Sequence, residues 1–430
     1  MIPVFLLIMA ALLPDPALGQ GRAESAPAVA EVAARPEQAP PLDSLIQRAL
    51  RHAPELPGAE AAVLAARARV APAAALADPV LELGSQAMGL PPSETSTLTL
   101  ELGQELPFPG KRAARRAVAE AEVGVREAER LQRTAEVVAE VRTRFADLYA
   151  VDRRTRVLAA AGQLIDVSAR TAAARLAAGQ ADRESLLRLQ LQAARIRQQA
   201  AGLRAERAGA LAELNRLLGE PPDRPVGEIS ALPRVEPAQA DSLRAGLEDA
   251  PELQVMRSEV LTAQRRLEEA RLEGRPDFMI GAGGGVSAMP EPVVMLRLGM
   301  NLPVWKHRKQ DLLREAAGHD LRAAQAALDA GRARLSADLA MLLAEWEGNR
   351  ERVLEFEAAI LPQSQSALSA ALSAYAAGRG DFALVIEDLN MLLEAGAEAA
   401  EAEAERLGTW ARIEALGPRA AGPFTKGDTP

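Results

Sequence analysis

The residues able to do chemistry are sparse in this chain and do not gather. Three histidines, His52, His307 and His319, are scattered, and no two stand at a spacing that would put both on one ion from a single helix. There is no cysteine, which excludes disulfides, thiolate metal centres and a cysteine nucleophile. The glycine-rich stretch Gly281 to Gly285 lacks the lysine and following helix of a phosphate-binding loop. In a strand it would instead let a wall bend or approach its neighbour. Asp, Glu and Arg are spread along helical stretches, and no carboxylate pair stands apart as acid and base. The pattern gives no catalytic centre, no metal site and no cofactor. The chain reads as something other than an enzyme, with its function carried by its larger elements.

Composition points the same way. Of 430 residues, 48% are hydrophobic, much of that alanine, while aromatics make up 3%, which suits close helix packing better than a bulky globular core. A formal net charge of -9 and the lack of any basic block argue against a nucleic-acid partner. The run Ile2 to Leu13 followed by Ala17-Leu18-Gly19 reads as a secretory signal over 1–19, with a disordered leader over 20–41. No later segment has the length and apolarity of a transmembrane helix, so any membrane crossing must use strands.

The elements are organised around Thr95 to Arg116. Leu98, Leu100, Leu102 and Leu106 alternate with polar residues, as in a two-faced strand. Pro107, Pro109 and Gly110 then form a swivel into a helix of roughly 65 to 70 residues, on the order of 100 Å long. The junction recurs at Val294 to Pro303, shifted by roughly 196 positions, and Ala-Pro-Glu-Leu occurs at both Ala53 and Ala250. The chain is therefore a duplication. Repeat 1 covers 42–219, with a hairpin at 79–106 and helical tunnel segments at 112–218. An irregular linker covers 220–239. Repeat 2 covers 240–416, with a hairpin at 277–303 and tunnel segments at 308–416, and a disordered tail covers 417–430. The opening helix of each repeat reads as one continuous element, bent at Pro54 and Pro57 in the first, and Pro362 is expected to kink the second long helix. The fold class is mostly α with a small β part, in two repeats of helix, β-hairpin, long helix and helix.

Four strands with one apolar face cannot close a barrel, because small closed barrels have about eight, and an open apolar sheet would aggregate. Three copies would supply twelve strands. Their leucine face would meet lipid, and Thr97, Thr99, Glu101, Arg297 and Asn301 would line a wet interior. Phe108 and Trp305 stand at the strand ends, where an aromatic belt is expected.

The junction from Gln104 to Arg112, Ala77-Asp78-Pro79 with its counterpart Arg275-Pro276-Asp277, the paired Ala-Pro-Glu-Leu and Tyr375-Ala376-Ala377-Gly378 together resemble the TolC-like outer-membrane efflux family. The resemblance runs from about Leu42 to Leu416. It implies a homotrimer with a twelve-stranded barrel in the outer membrane and a helical tunnel in the periplasm. It also implies docking to a periplasmic adaptor and an inner-membrane RND pump of a Gram-negative cell. The Gly110-Lys111 junction is most similar to the heavy-metal branch, the cobalt-zinc-cadmium or copper-silver systems. The helical turns at the far end would form the periplasmic entrance and touch the adaptor, with Gly179 and Gly378 reversing the chain and Asp182 and Asp381 capping the next helices. Acidic residues just past this glycine ring the aperture in the family. Glu387 matches one such position, with Asp388 adjacent and about 100° round the helix, while Leu384 departs from the pattern. The same fold would serve a one-step protein secretion system, and a periplasmic coiled-coil scaffold is the rival outside transport.

Overall fold

A computed structural model of the chain describes residues 39–86, 97–178, 183–287, 293–377 and 379–417. The signal and most of the leader lie outside the described residues, as do the hairpin tips, most of the tail, and Gly179, Asp182 and Gly378.

The opening stretch of each repeat is two helices, not one. Helix α1 (Leu42–His52) stops before α2 (Glu55–Ala73). In the second repeat, α5 (Ala240–Gly246) and a 3-10 turn (Leu247–Asp249) stop before α6 (Pro251–Glu273). Both breaks fall in the repeated Ala-Pro-Glu-Leu. Ala53 and Ala250 have ψ of 126° and 136°, because a residue preceding proline is pushed out of the helical region. Pro251 then opens α6 in its first turn, where the missing N–H has no partner to lose.

Strands β1 (Val80–Gln86), β2 (Thr97–Leu106), β3 (Phe278–Ser287) and β4 (Val293–Met300) form one antiparallel sheet in the order β1-β2-β3-β4. The two repeats join at β2 and β3, where Leu100 pairs with Gly284 and Leu106 with Phe278. Gly284 in turn pairs with Val294, so Leu100 and Val294 share a face. That face is bare: Leu83 is 72% exposed, Val286 76% and Leu298 84%. The phase of the alternation is thus the same in both repeats.

Each hairpin feeds a long helix. After β2 runs α3 (Lys111–Ala177), 67 residues, and α4 (Arg183–Leu217) returns along it. After β4 come a 3-10 turn (Lys306–Arg308), α7 (Gln310–Glu355), a π-helical turn (Phe356–Ile360), α8 (Leu361–Ala376) and the returning α9 (Phe382–Ala415). The kink expected at Pro362 takes the form of that π turn. A proline removes a donor and crowds the carbonyl four residues back, here Ala358, and a widened turn relieves both. Among the described residues no helix is long and apolar enough to cross a membrane.

The helices lie side by side in the order of the strands they join. Near the sheet α2 packs on α3, α3 on α6, and α6 on α7. Towards the helical turns α4 packs on α3, α3 on α9, and α9 on α7 and α8. One edge of the layer is therefore α2 and α4, continuous with β1, and the other is α7 and α8, continuous with β4. A central core gathers α1, mid-α3, the end of α4, the linker residues Val226 and Ile229, α7 and the end of α9. There the buried Arg142 lies 4.7 Å over the Trp410 ring. A second core links α3, α4, α8 and α9 nearer the turns.

Candidate functional site

The polar residues on the sheet face opposite the bare leucines, the strand-to-helix junctions and the far end of α9 are three separate stations, each built by a different local rule.

On the sheet, the register places Glu101 opposite Glu82 on one side and Gly283 on the other, and Gly281 opposite Arg297. Arg297 Nη2 reaches Glu101 Oε2 at 2.9 Å, and its Nη1 lies 4.0 Å from Glu82 Oε2. Thr99 donates its hydroxyl to the Gly84 carbonyl at 3.2 Å. Thr97 opens β2, and Asn301 lies just beyond β4, its N–H donating to the Asp277 carbonyl at 2.8 Å. Glu101, expected in an open lumen, is only 9% exposed within the single chain because Arg297 lies across it.

At the junctions, Gly110 caps α3 with φ of 100°, a conformation that side chains resist. Pro107 and Pro109 precede it, and Pro303 accepts at its carbonyl from Lys306 N–H at 3.1 Å, turning β4 into the 3-10 helix. Asp277, between α6 and β3, is the shared centre. Its carboxylate accepts from Phe108 N–H at 2.8 Å and from Lys111 Nζ at 2.8 Å. Lys111 is 2% exposed and also lies 3.5 Å from Glu273. Burial alone would raise the Asp277 pKa, but the Lys111 and Phe108 hydrogen bonds and the Lys111 charge outweigh it and hold it below the ordinary range. The fourth crossing is tied by Gln104, whose Nε2 donates to the Ala77 carbonyl at 2.8 Å. Phe108 is half-buried beneath the Arg275 guanidinium, 5.7 Å from its centroid, whereas Trp305 is exposed.

At the far end, Asp381 caps α9 by accepting from Ala383 N–H at 2.9 Å. Tyr375 and Phe382 close the turn with ring centroids 5.1 Å apart. Glu387 is exposed, and among the described residues it makes no ion pair. Asp388 is buried to 9% on the other side of the helix, so the two neighbours do not act together. Glu387 is the first of an exposed carboxylate row, Glu387, Glu394, Glu398, Glu401 and Glu405, at spacings of three, four and seven. Among the described residues only the last two meet arginines, Arg154 at 3.6 Å and Arg352 at 2.7 Å. Helical spacing alone could have found this row.

Sequence reasoning missed three charged clusters. The first is Lys111 with Asp277, although both lay in quoted motifs. The second is Asp152, which holds Arg207 at 2.6 Å and the Ile229 N–H at 2.9 Å, pinning the linker to α3. The third is Tyr149 with Arg153 on Glu403, joining α3 to α9; burial and that hydrogen bond push the Tyr149 pKa up to about 12. The histidines stay apart: His307 meets Asp311 at 3.0 Å and His319 lies near Glu315. Among the described residues no group of three or more His, Asp and Glu could hold a metal ion.

The chain thus joins a sheet with one bare apolar face to an open layer of very long helices. Residues 45–220 match the family model described as Outer membrane efflux protein. The fold of the whole chain agrees. It superposes on VceC, an outer membrane protein of Vibrio cholerae, with a TM-score of 0.73 at 19% identity, covering 89% of this chain and 97% of that one. The CmeC outer membrane channel of Campylobacter jejuni gives 0.76 at 11% identity, covering 96% of each chain. The open-state MtrE outer membrane channel of Neisseria gonorrhoeae gives 0.74 at 17%, covering 90% and 92%. By sequence, no curated protein matches the chain. The sequence match to that family covers residues 45–220, and over most of its length the chain has the fold that these outer-membrane channel structures share.

Proposed function

We propose that three copies of this chain form the outer-membrane conduit of a tripartite efflux system, passively carrying substrate from a periplasmic adaptor and inner-membrane RND pump to the exterior. The observation that carries this reading is that sheet and helix layer are open along the same two edges. One edge bears exposed Leu64, Leu187 and Leu191, and the other bears exposed Leu312, Leu313, Met341 and Leu354. Unlike edges join head to tail, and head-to-tail contacts that close give rings. Three copies supply twelve strands, enough for a barrel with a lumen.

In this reading Thr97, Thr99, Glu101, Arg297 and Asn301 face the barrel lumen, and Pro107, Pro109, Gly110 and Pro303 turn the strands into the tunnel wall. The helical turns at Gly179, Asp182, Gly378 and Asp381 meet the adaptor. Glu387 stands at the constriction, its unpaired carboxylate favouring cations. The carboxylate row behind it and the Gly110-Lys111 junction support heavy-metal cations as the cargo. No nucleotide motif is present, so the energy comes from the pump.

The test is crosslinking. Because the chain has no cysteine, cysteines placed at Leu64 on α2 and Leu313 on α7 are unique. Within one chain α3 and α6 stand between them, so bifunctional reagents must yield trimers if the edges meet between copies. Intrachain or no products at every spacer length would count against the ring.

A further inference from the structure

The inner face of the sheet carries a charge arrangement that a plain water-filled barrel does not require. Glu101 on β2 and Arg297 on β4 are not on neighbouring strands; β3 runs between them. Adjacent strands lie about 4.8 Å apart, so this pair spans two strand spacings, on the order of 10 Å. A side chain on the same face of β3 would block the path. The register instead puts Gly281 opposite Arg297, and Gly283 opposite Glu101, so the pair crosses a trough floored by backbone. The room is fully used: a Cβ on Gly281 would come within 2.6 Å of Glu101 Oε1, and one on Gly283 would overlap the Leu100 carbonyl oxygen.

The pair extends to the first strand, because Arg297 also faces Glu82 across the sheet at 4.0 Å. The three groups form a line over β1, β2 and β4 with two carboxylates to one guanidinium. Glu101 is held against the wall at 2.9 Å from Arg297. The Glu82 side chain is 65% exposed and carries the uncompensated negative charge.

We propose that Glu82, Glu101 and Arg297 are specificity-determining residues of the conduit, forming a charge-selecting station in the barrel wall that favours small cations over anions. Arg297 sets its strength: by neutralising Glu101 it leaves Glu82 as the station's one free carboxylate in each chain. The glycine trough keeps the charges at the wall, so the station selects without narrowing the passage. This inference rests on the channel reading. It is independent of Glu387, which lies at the far end of the helices.

Reversal potentials across planar bilayers under a KCl gradient near 0.1 M, where charge acts over about 10 Å, decide the matter. Arg297→Gln is expected to raise the cation-to-anion permeability ratio about twofold or more, and Glu82→Gln to lower it comparably. Arg297→Lys, which keeps the charge, is expected to stay near wild type. Glu82 is exposed and its partner is distant, so its variant keeps the inference falsifiable if changes at Arg297 prevent folding. A conducting Glu82→Gln channel with unchanged ratio would overturn the station. If Glu387→Gln shifts the ratio while Glu82→Gln does not, the station fails and the channel reading stands. A wild-type protein that never conducts removes the channel reading itself, and the station with it.

Discussion

Lys111 Nζ and Asp277 Oδ2 lie 2.8 Å apart, and through this one pair the first residue of α3 is locked to the residue that begins the second hairpin. Phe108 and Asn301 donate their N–H groups to the same Asp277, so three of the four sheet-to-helix crossings depend on one residue. Removing one partner of a buried ion pair costs about 3 kcal/mol or more because the other is left uncompensated. Asp277→Asn is therefore expected to lower the thermal midpoint clearly, followed by helical circular dichroism in detergent. Glu273→Ala, which removes a more exposed and more distant carboxylate, should cost less than about 1 kcal/mol.

The same residue gives a pH dependence of fixed sign. The folded-state pKa of Asp277 is depressed, so its stabilisation is present above the unfolded carboxylate value of about 3.9. It is lost as pH falls through the folded value. The gap in thermal midpoint between wild type and Asp277→Asn should be full at neutral pH and close in acid. A gap that widened on acidification would contradict the assigned ion pair.

Two glycine substitutions should behave oppositely. Gly110→Ala forces a side chain into φ of 100° and is expected to cost about 1–2 kcal/mol. Gly124→Ala, in the first part of α3 with open space around it, should be neutral or gain up to about 1 kcal/mol. Equal effects in thermal melts would remove the special role of the swivel glycine.

Much of this was legible in the chain because the signals were local. Period-two leucines, a proline-glycine swivel and a second copy in the same phase were enough for the strands, the long helices and the duplication. The helix break at Ala53 shows in the sequence only as a bend, and the one at Ala250 not at all, since bend and break differ only in the ψ of the residue preceding the proline. The π turn before Pro362 was read as a kink for a similar reason. Long-range partners were the illegible part. Lys111 and Asp277 are far apart in sequence, and nothing in the spacing says that β2 pairs with β3. The Glu82 contact with Arg297 also depends on that pairing. Asp388 was named beside Glu387, yet helical phase turns it inward, and burial separates the two.

That separation is testable at the far end of the helices. Glu387→Gln is expected to reduce cation selectivity and divalent block in single-channel recordings without changing stability. Asp388→Asn, at a buried position, should act on thermal stability instead. Glu387→Gln channels with unaltered selectivity and block would remove Glu387 from the constriction.

The edge leucines test assembly. Leu187→Glu together with Leu191→Glu, both 55% exposed in the single chain, is expected to abolish the trimer while helix content persists. Charge at two positions buried only between copies costs several kcal/mol per interface, enough to dissociate it. A variant that still assembles would place these residues outside the interface.

The most direct measurement is the mass of the species extracted by mild detergent from isolated outer membranes, before and after heating. The expected species is a particle of three chains in the outer-membrane fraction that falls to single chains on heating and conducts when reconstituted. A soluble periplasmic monomer would mean that the bare faces of Leu298 and Val286 pack on something other than lipid, and would contradict the channel.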